Sequence, residues 1–309
     1  MSNYYGPEGS LFDLADNTEF VQSLQGLEYA MSAGLILEAR ASLCDSDRNL
    51  WVDLGKYKGV IPREEAVYSP DDSPVKDIAI ITRVGKPVCF KVASIEKSDG
   101  EIRIILSRKA AQKECYEYYI ANLQSGDVID TRVTHMEPFG CFCDIGCGIV
   151  SLLTVDCISV SRISHPKERF FVGQFIKCVV KQVDDGFGRI TLSHKELLGT
   201  WDENAQKFSP GQTAAGIVRS IEPYGIFVEL MPNLAGLAEW RDDVSVGQSA
   251  AVYIKSIMPD KMKIKLVIVD SSSSAPSRTE PEYFFEGTHI DYWEYSPCDC
   301  EKKIVTEFA

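Results

Sequence analysis

From Asp127 to Met136 the chain alternates, with Val128, Asp130, Arg132 and Thr134 falling between Ile129, Thr131, Val133 and His135. A period of two sends successive side chains to opposite faces, so this stretch is a strand with one packed and one wet face. Glu137-Pro138 breaks the run, and Phe139-Gly140-Cys141-Phe142-Cys143 restarts it. Strict parity puts Phe139 with Cys141 and Cys143 and leaves Phe142 opposite. A twist or bulge at Gly140 would bring both rings to one side. Three further strands follow at Gly148–Leu153, Gln174–Val183 and Arg189–Ser193, with a longer excursion before the fourth. Five short strands in this arrangement are expected to close into a small barrel.

The same pattern occurs three times. An earlier copy begins at Gly34 and runs through Trp51, which precedes Phe142 by 91 residues, to Asp99–Arg108. A later copy places Tyr224-Gly225-Ile226-Phe227 85 residues after Phe139-Gly140-Cys141-Phe142. Such periods exceed those of solenoids and describe an array of domains. The expected fold is mainly β, a tandem array of three five-stranded OB-fold barrels joined by short helices. Its parts are an acidic N-terminal segment with a short helix (1–32), a first repeat (33–108), a helical linker (109–125), a second repeat (126–194), a second helical linker (195–208), a shortened third repeat (209–270) and a Ser-rich linker with an aromatic, acidic tail (271–309). In the first segment, Asn17 or Thr18 is expected to cap one helix carrying Phe20, Leu24, Leu27 and Met31 as an apolar stripe. That stripe suits packing on the first barrel or docking of a partner. In the first linker, Tyr116, Tyr119, Ile120 and Leu123 form the apolar stripe. The tail's rings (Tyr283, Phe284, Phe285, Tyr292, Trp293, Tyr295) are too many for pure disorder, so it is expected to fold back on a barrel.

Gly126-Asp127, Phe139-Gly140-x-Phe142, Gly148-Ile149-Val150, Val172-Gly173-Gln174 and Gly188-Arg189-Ile190-Thr191-Leu192-Ser193 resemble the S-one RNA-binding module, an OB-fold unit named after the largest protein of the bacterial small ribosomal subunit. The resemblance implies a single-stranded RNA site made of two strand-two aromatics, a strand-three histidine, and an acid and an arginine near strand five. The second repeat offers Phe139, Phe142, Ser151 in place of the histidine, Asp185 and Arg189. The third offers Tyr224, Phe227, Glu239 in the histidine position, Asp260 and Lys263. The first offers Trp51, Asp99 and Arg103, with Arg48 replacing an aromatic and Pro62 at the histidine position. Lys177 and Lys181 on strand four are expected to add backbone contacts. Stacked bases contribute roughly 1–3 kcal/mol each, and strand aromatics are otherwise commonly core residues.

Net charge is −13, unusual for a nucleic-acid binder. The charge sits at the ends, however: residues 1–32 hold five acids and no base, and residues 271–309 hold eight acids and three bases. Near-neutral modules depend on stacking more than on a strong phosphate field. No run of eighteen apolar residues and no signal peptide is visible, so a cytoplasmic protein with no membrane partner is expected. The ten cysteines sit singly in strand-like text. Cys141, Cys143 and Cys147 are expected to pack as small hydrophobes, while Cys298-Asp299-Cys300 lacks the further ligands zinc needs. No catalytic constellation, cofactor, metal or small-molecule substrate is expected. The expected function is holding single-stranded messenger RNA at the small ribosomal subunit in translation. The alternatives are a protein-interaction adaptor or a free regulator of translation or RNA decay.

Overall fold

The structure, a computed structural model, describes residues 4–70, 73–98, 101–184, 189–273 and 280–308. Three five-stranded sheets each close into a barrel. The first is built from β1 (Leu37–Cys44), β2 (Leu50–Leu54), β3 (Tyr57–Ile61), β4 (Pro87–Ser98) and β5 (Glu101–Ser107), in the order β1-β2-β3-β5-β4. The second comprises β6 (Val128–Glu137), β7 (Gly140–Gly146), β8 (Ile149–Thr154), β9 (Phe175–Asp184) and β10 (Arg189–Ser193). The third comprises β11 (Thr213–Glu222), β12 (Gly225–Met231), β13 (Leu234–Ala238), β14 (Ser249–Met258) and β15 (Lys263–Ser272). In each barrel the third strand runs parallel to the fifth, through Gly59↔Ile104, Leu152↔Thr191 and Leu237↔Lys265. This is the arrangement of OB barrels, so the mainly β, tandem-barrel expectation holds.

The register of β1, β6 and β11 is the same. Ala41, Val133 and Val218 each donate their backbone N–H to a carbonyl just before the fourth strand, on Lys86, Gln174 and Gln248. These three residues point inward and are fully buried. In the first and third barrels the next outward pairings are Leu43↔Trp51 and Ser220↔Phe227, each after a bulge. Counting two residues past Val133 makes His135 their counterpart.

The chain forms two compact units. The first contains residues 1–123 together with 130–132 and 144–150. Its N-terminal segment is held by a buried polar cluster. Glu8 Oε1 accepts from Arg108 Nε at 2.7 Å and from the Cys89 N–H at 3.1 Å, while Glu8 Oε2 pairs with Arg83. The Glu8 backbone N–H donates to Asp144 at 2.8 Å. Burial alone would raise the Glu8 carboxyl, but the Arg108 and Arg83 guanidiniums outweigh it and hold it below its ordinary range. Nearby, burial and the Glu8 charge push Glu38 up to about 8 and Asp144 up to about 7.

Two helices replace the single one expected here. α1 (Ala15–Gln22) ends at Ser23, whose hydroxyl then accepts the Gly26 N–H and opens α2 (Leu24–Ala33). A serine able to cap is a start signal, and it resets the helix phase. Within α2 Leu27 is buried while Met31 is exposed, and Asn17 bonds the Glu38 backbone instead of capping. A short helix, α3 (Asp77–Ile81), lies in the excursion before β4. In α4 (Arg108–Tyr118) the fully buried face is Arg108, Ala111, Gln112 and Cys115; of the expected stripe Ile120 is buried, and Tyr116 and Tyr119 are half-buried against Tyr68 and Tyr5.

The second unit contains 124–129, 133–143 and 151–309. Its core joins third-barrel residues such as Val228, Ile254 and Leu266 to Trp201 of α5 (Trp201–Ala205) and to tail residues Ile290, Trp293, Tyr295 and Phe308. The tail contributes a two-stranded sheet, β16 (Tyr292–Glu294) with β17 (Val305–Glu307). Tyr295 Oη donates to the Asn233 carbonyl. Among the described residues no helix is long and apolar enough to cross a membrane.

Candidate nucleic-acid interface

In the second barrel Phe139 sits in the turn before β7 and Phe142 within it, and both rings come to the same side. Their centroids are 6.2 Å apart with ring planes at 89°. Gly140 makes this possible, because a Cβ there would lie 2.4 Å from the Leu153 carbonyl oxygen. The turn can thus press against β8 and swing Phe139 outward, while Cys141 and Cys143 stay buried inside. Phe139 is 54% exposed and Phe142 half-buried.

The third barrel repeats this geometry. Tyr224 and Phe227 also stand 6.2 Å apart at 89°, and Tyr224 is 69% exposed. Gly225 there has φ +147°, and a Cβ would meet the Ala238 carbonyl oxygen at 2.5 Å. The cross-barrel register carries the face further. Phe227 pairs with Leu237 on β13, and Leu237 pairs with Lys265 on β15. Lys263 and Lys265 are both exposed, so β15 presents two ammonium groups where sequence reading had named one.

The first barrel departs from this plan. Trp51 stands in register with Phe227, half-buried, and its indole N–H donates to Asp45 at 3.1 Å. Arg48, at the position of Phe139 and Tyr224, has φ +68° and pairs with Asp77 of α3 at 3.0 Å. Arg63 pairs with the same carboxylate at 2.9 Å. Hydrogen bonds from Arg63 and Arg48 hold Asp77 below the usual carboxylate range. Two basic groups are thus committed within the barrel. Arg103 is exposed on β5.

Other sequence-derived residues land variously. Arg189 opens β10, but its side chain, Asp185 and Asp99 lie outside the described residues. Lys177 is exposed; its backbone N–H donates to Tyr283 Oη of the tail. Lys181 does not point freely to solvent, because its Nζ lies 3.1 Å from Cys157 Sγ and that contact raises its pKa. Ser151 is buried and is not the strand-three group. Leu152 and Leu237 occupy the same place against the fifth strand, so Ser151 matches Gly236 and Thr154 matches Glu239. Glu239 and Asp260 are exposed.

One ring was missed by sequence reading. His135, 61% exposed, stacks on Phe142 at 6.2 Å with planes inclined by 27°. Its Nε2 is 2.7 Å from Glu137 Oε1.

Residues 122–195 match the family model described as S1 RNA binding domain, the S-one module. Over 265 residues, 80% of this chain, the sequence is 31% identical to the small ribosomal subunit protein bS1 homolog of Bacillus cereus, covering 64% of that protein. It is 33% identical over 193 residues to the small ribosomal subunit protein bS1 of Staphylococcus aureus, covering 61% of this chain and 47% of that protein. Against the Rhizobium meliloti bS1 it is 28% identical over 232 residues, 70% of this chain and 39% of the relative. The chain thus spans between about two fifths and two thirds of the length of these relatives. The matches thus identify an S1 RNA-binding domain in the second barrel, and over most of its length the chain is similar to small-subunit ribosomal protein bS1.

Proposed function

We propose that this protein binds single-stranded RNA on the aromatic faces of its second and third barrels, and that it acts in translation at the small ribosomal subunit in the cytoplasm. The observation that carries the reading is the repeated ring pair: Phe139/Phe142 and Tyr224/Phe227 share one separation and one angle, with the outer ring of each pair more than half exposed. A core aromatic has no reason to keep that geometry on a wet face, whereas bases stack on such rings whatever their sequence. Lys263, Lys265 and Lys177 supply exposed charge for the backbone. Messenger RNA is the single-stranded ligand available at the small subunit, and weak sites on one chain raise each other's effective concentration. The reading assigns the protein no catalytic step. The first barrel favours a protein-contact role, because Leu43 lies 55% exposed beside Trp51 and two arginines are tied to Asp77.

Fluorescence anisotropy with a labelled unstructured RNA tests the reading, comparing the natural chain with Phe142→Ala/Phe227→Ala and with duplex RNA as control. Losing one stacked base in each barrel should weaken binding by about 2–6 kcal/mol in total. Unchanged binding with an unchanged melting temperature would move the function to the adaptor reading.

A further inference from the structure

We infer that His135 is a base-stacking residue of the second barrel, making its platform three rings wide where the third barrel has two. The inference rests on the RNA-binding reading above and deepens it. Three observations converge. First, His135 is exposed, its ring plane is inclined by only 27° to that of Phe142 at 6.2 Å, and Phe139 meets Phe142 edge-on, so three rings gather on one patch of the wet face. Second, the position is reached by the same step in all three barrels, two residues past the inward Ala41, Val133 and Val218. It holds Leu43 in the first barrel and Ser220 in the third, neither of which offers a π face to a base. Third, Glu137 Oε1 lies within hydrogen-bond reach of His135 Nε2, which fixes how the imidazole lies.

The placement also answers a chemical deficit. The strand-three position that would offer an imidazole carries Thr154 in this barrel. His135 supplies one from β6, on the first-strand side of Phe142. A base stacked across His135 and Phe142 meets a continuous surface, and a neighbouring base can lie against Phe139. The third barrel, with Ser220, lacks the first of these contacts and should hold one base fewer.

The test uses the full chain carrying Tyr224→Ala/Phe227→Ala, so that the second barrel is read without its neighbour's rings. Into this background His135→Ala, His135→Tyr and Phe142→Ala are introduced separately, and affinity for a labelled unstructured RNA is measured beside thermal melting. His135→Ala should weaken binding roughly fivefold or more, the low end for one stacked base. His135→Tyr should restore most of it, and none of the His135 variants should melt lower, because the ring is exposed. If Phe142→Ala weakens binding while His135→Ala stays within twofold of its parent, the inference is overturned and the RNA-binding reading stands. If Phe142→Ala is also without effect, the platform reading fails and takes this inference with it. Loss in His135→Ala that His135→Tyr does not recover would equally overturn a stacking role.

Discussion

The first and third barrels are built on one frame and present different outer faces. Both pair their strands in the same order, with β3 parallel to β5 as β13 is to β15. Their inward residues interchange freely among Ala, Val, Leu and Ile, as Ala41 and Val218 do. Outward, matched positions carry Leu43, Arg48 and Trp51 in one and Ser220, Tyr224 and Phe227 in the other. Closure depends on the inward alternation and on small residues such as Gly59 and Gly236, whose absent Cβ leaves room for Leu106 and Leu266. The wet face carries none of that burden, so it is free to become an ion-paired surface or an aromatic one. Removing the supports of each barrel in turn is the way to test how separate frame and face are.

The largest expected effect lies under the first barrel. Arg108 is 2% exposed and takes its main compensation from Glu8, a residue 100 positions away in the chain. Glu8→Ala would strand a buried guanidinium, which costs about 3–5 kcal/mol. Chemical denaturation followed by hydrogen exchange should show β1 losing protection while β11, braced by Trp293 and Tyr295, keeps it. A loss below about 1 kcal/mol would mean that the N-terminal segment is not an integral part of the first unit.

A smaller difference should appear with pH. Glu38 on β1 has a carboxyl pushed up to about 8 by burial and by Glu8, against an ordinary value of 4.5. Three residues before the shared inward position, the third barrel carries Ala215 instead. Between those two values the folded first barrel keeps a proton that the unfolded chain has released. Its stability therefore falls as pH rises from about 5 to 8, and the contribution is fully present only below the unfolded value. Asp144, raised to about 7, works in the same direction, while the depressed Glu8 acts oppositely and only at acid pH. Protection of β1 should drop by roughly several kcal/mol between pH 5 and 8, and Glu38→Gln should remove about half of that slope, Asp144 carrying the rest. Parallel slopes in the two proteins would contradict the assignment to Glu38.

How much of this was legible beforehand follows from the range of each cause. Alternation and turn glycines act between near neighbours, so the barrels and the residues Phe139, Phe142, Tyr224 and Phe227 could be read directly. That both rings of a pair share a side depended on Gly140 approaching β8, which sequence allowed without requiring. His135 was hidden by the same kind of local irregularity. Its parity matches the buried Ile129, Thr131 and Val133, and the alternation of burial along β6 stops after Val133, leaving His135 exposed. Ser151 lies three residues short of the strand-three place: Thr154 follows Phe142 by twelve residues, as Glu239 follows Phe227. The Glu8 clamp and the tail's packing on the third barrel join positions far apart in the chain, and no local pattern announces them.

The smallest expected effect sharpens the comparison of faces. The register Phe227↔Leu237↔Lys265 sets an ammonium two strands from the third barrel's inner ring. In the first barrel the corresponding line runs Trp51↔Val60↔Ile105 and ends on an apolar side chain. If RNA crosses the third face along that line, Lys265 neutralises one phosphate and releases its counterion. For single strands each such contact adds roughly 0.7 to the slope of log affinity against log salt. Lys265→Gln should lower the slope by about that amount while leaving melting unchanged, since an exposed substitution usually stays within ±0.5 kcal/mol. The mirror substitution, Ile105→Lys, should leave the slope as it is, because the first barrel has Arg48 where a stacking ring would be needed. A gain in slope from Ile105→Lys would show that the first face binds RNA after all, and that the two faces differ in degree rather than in kind.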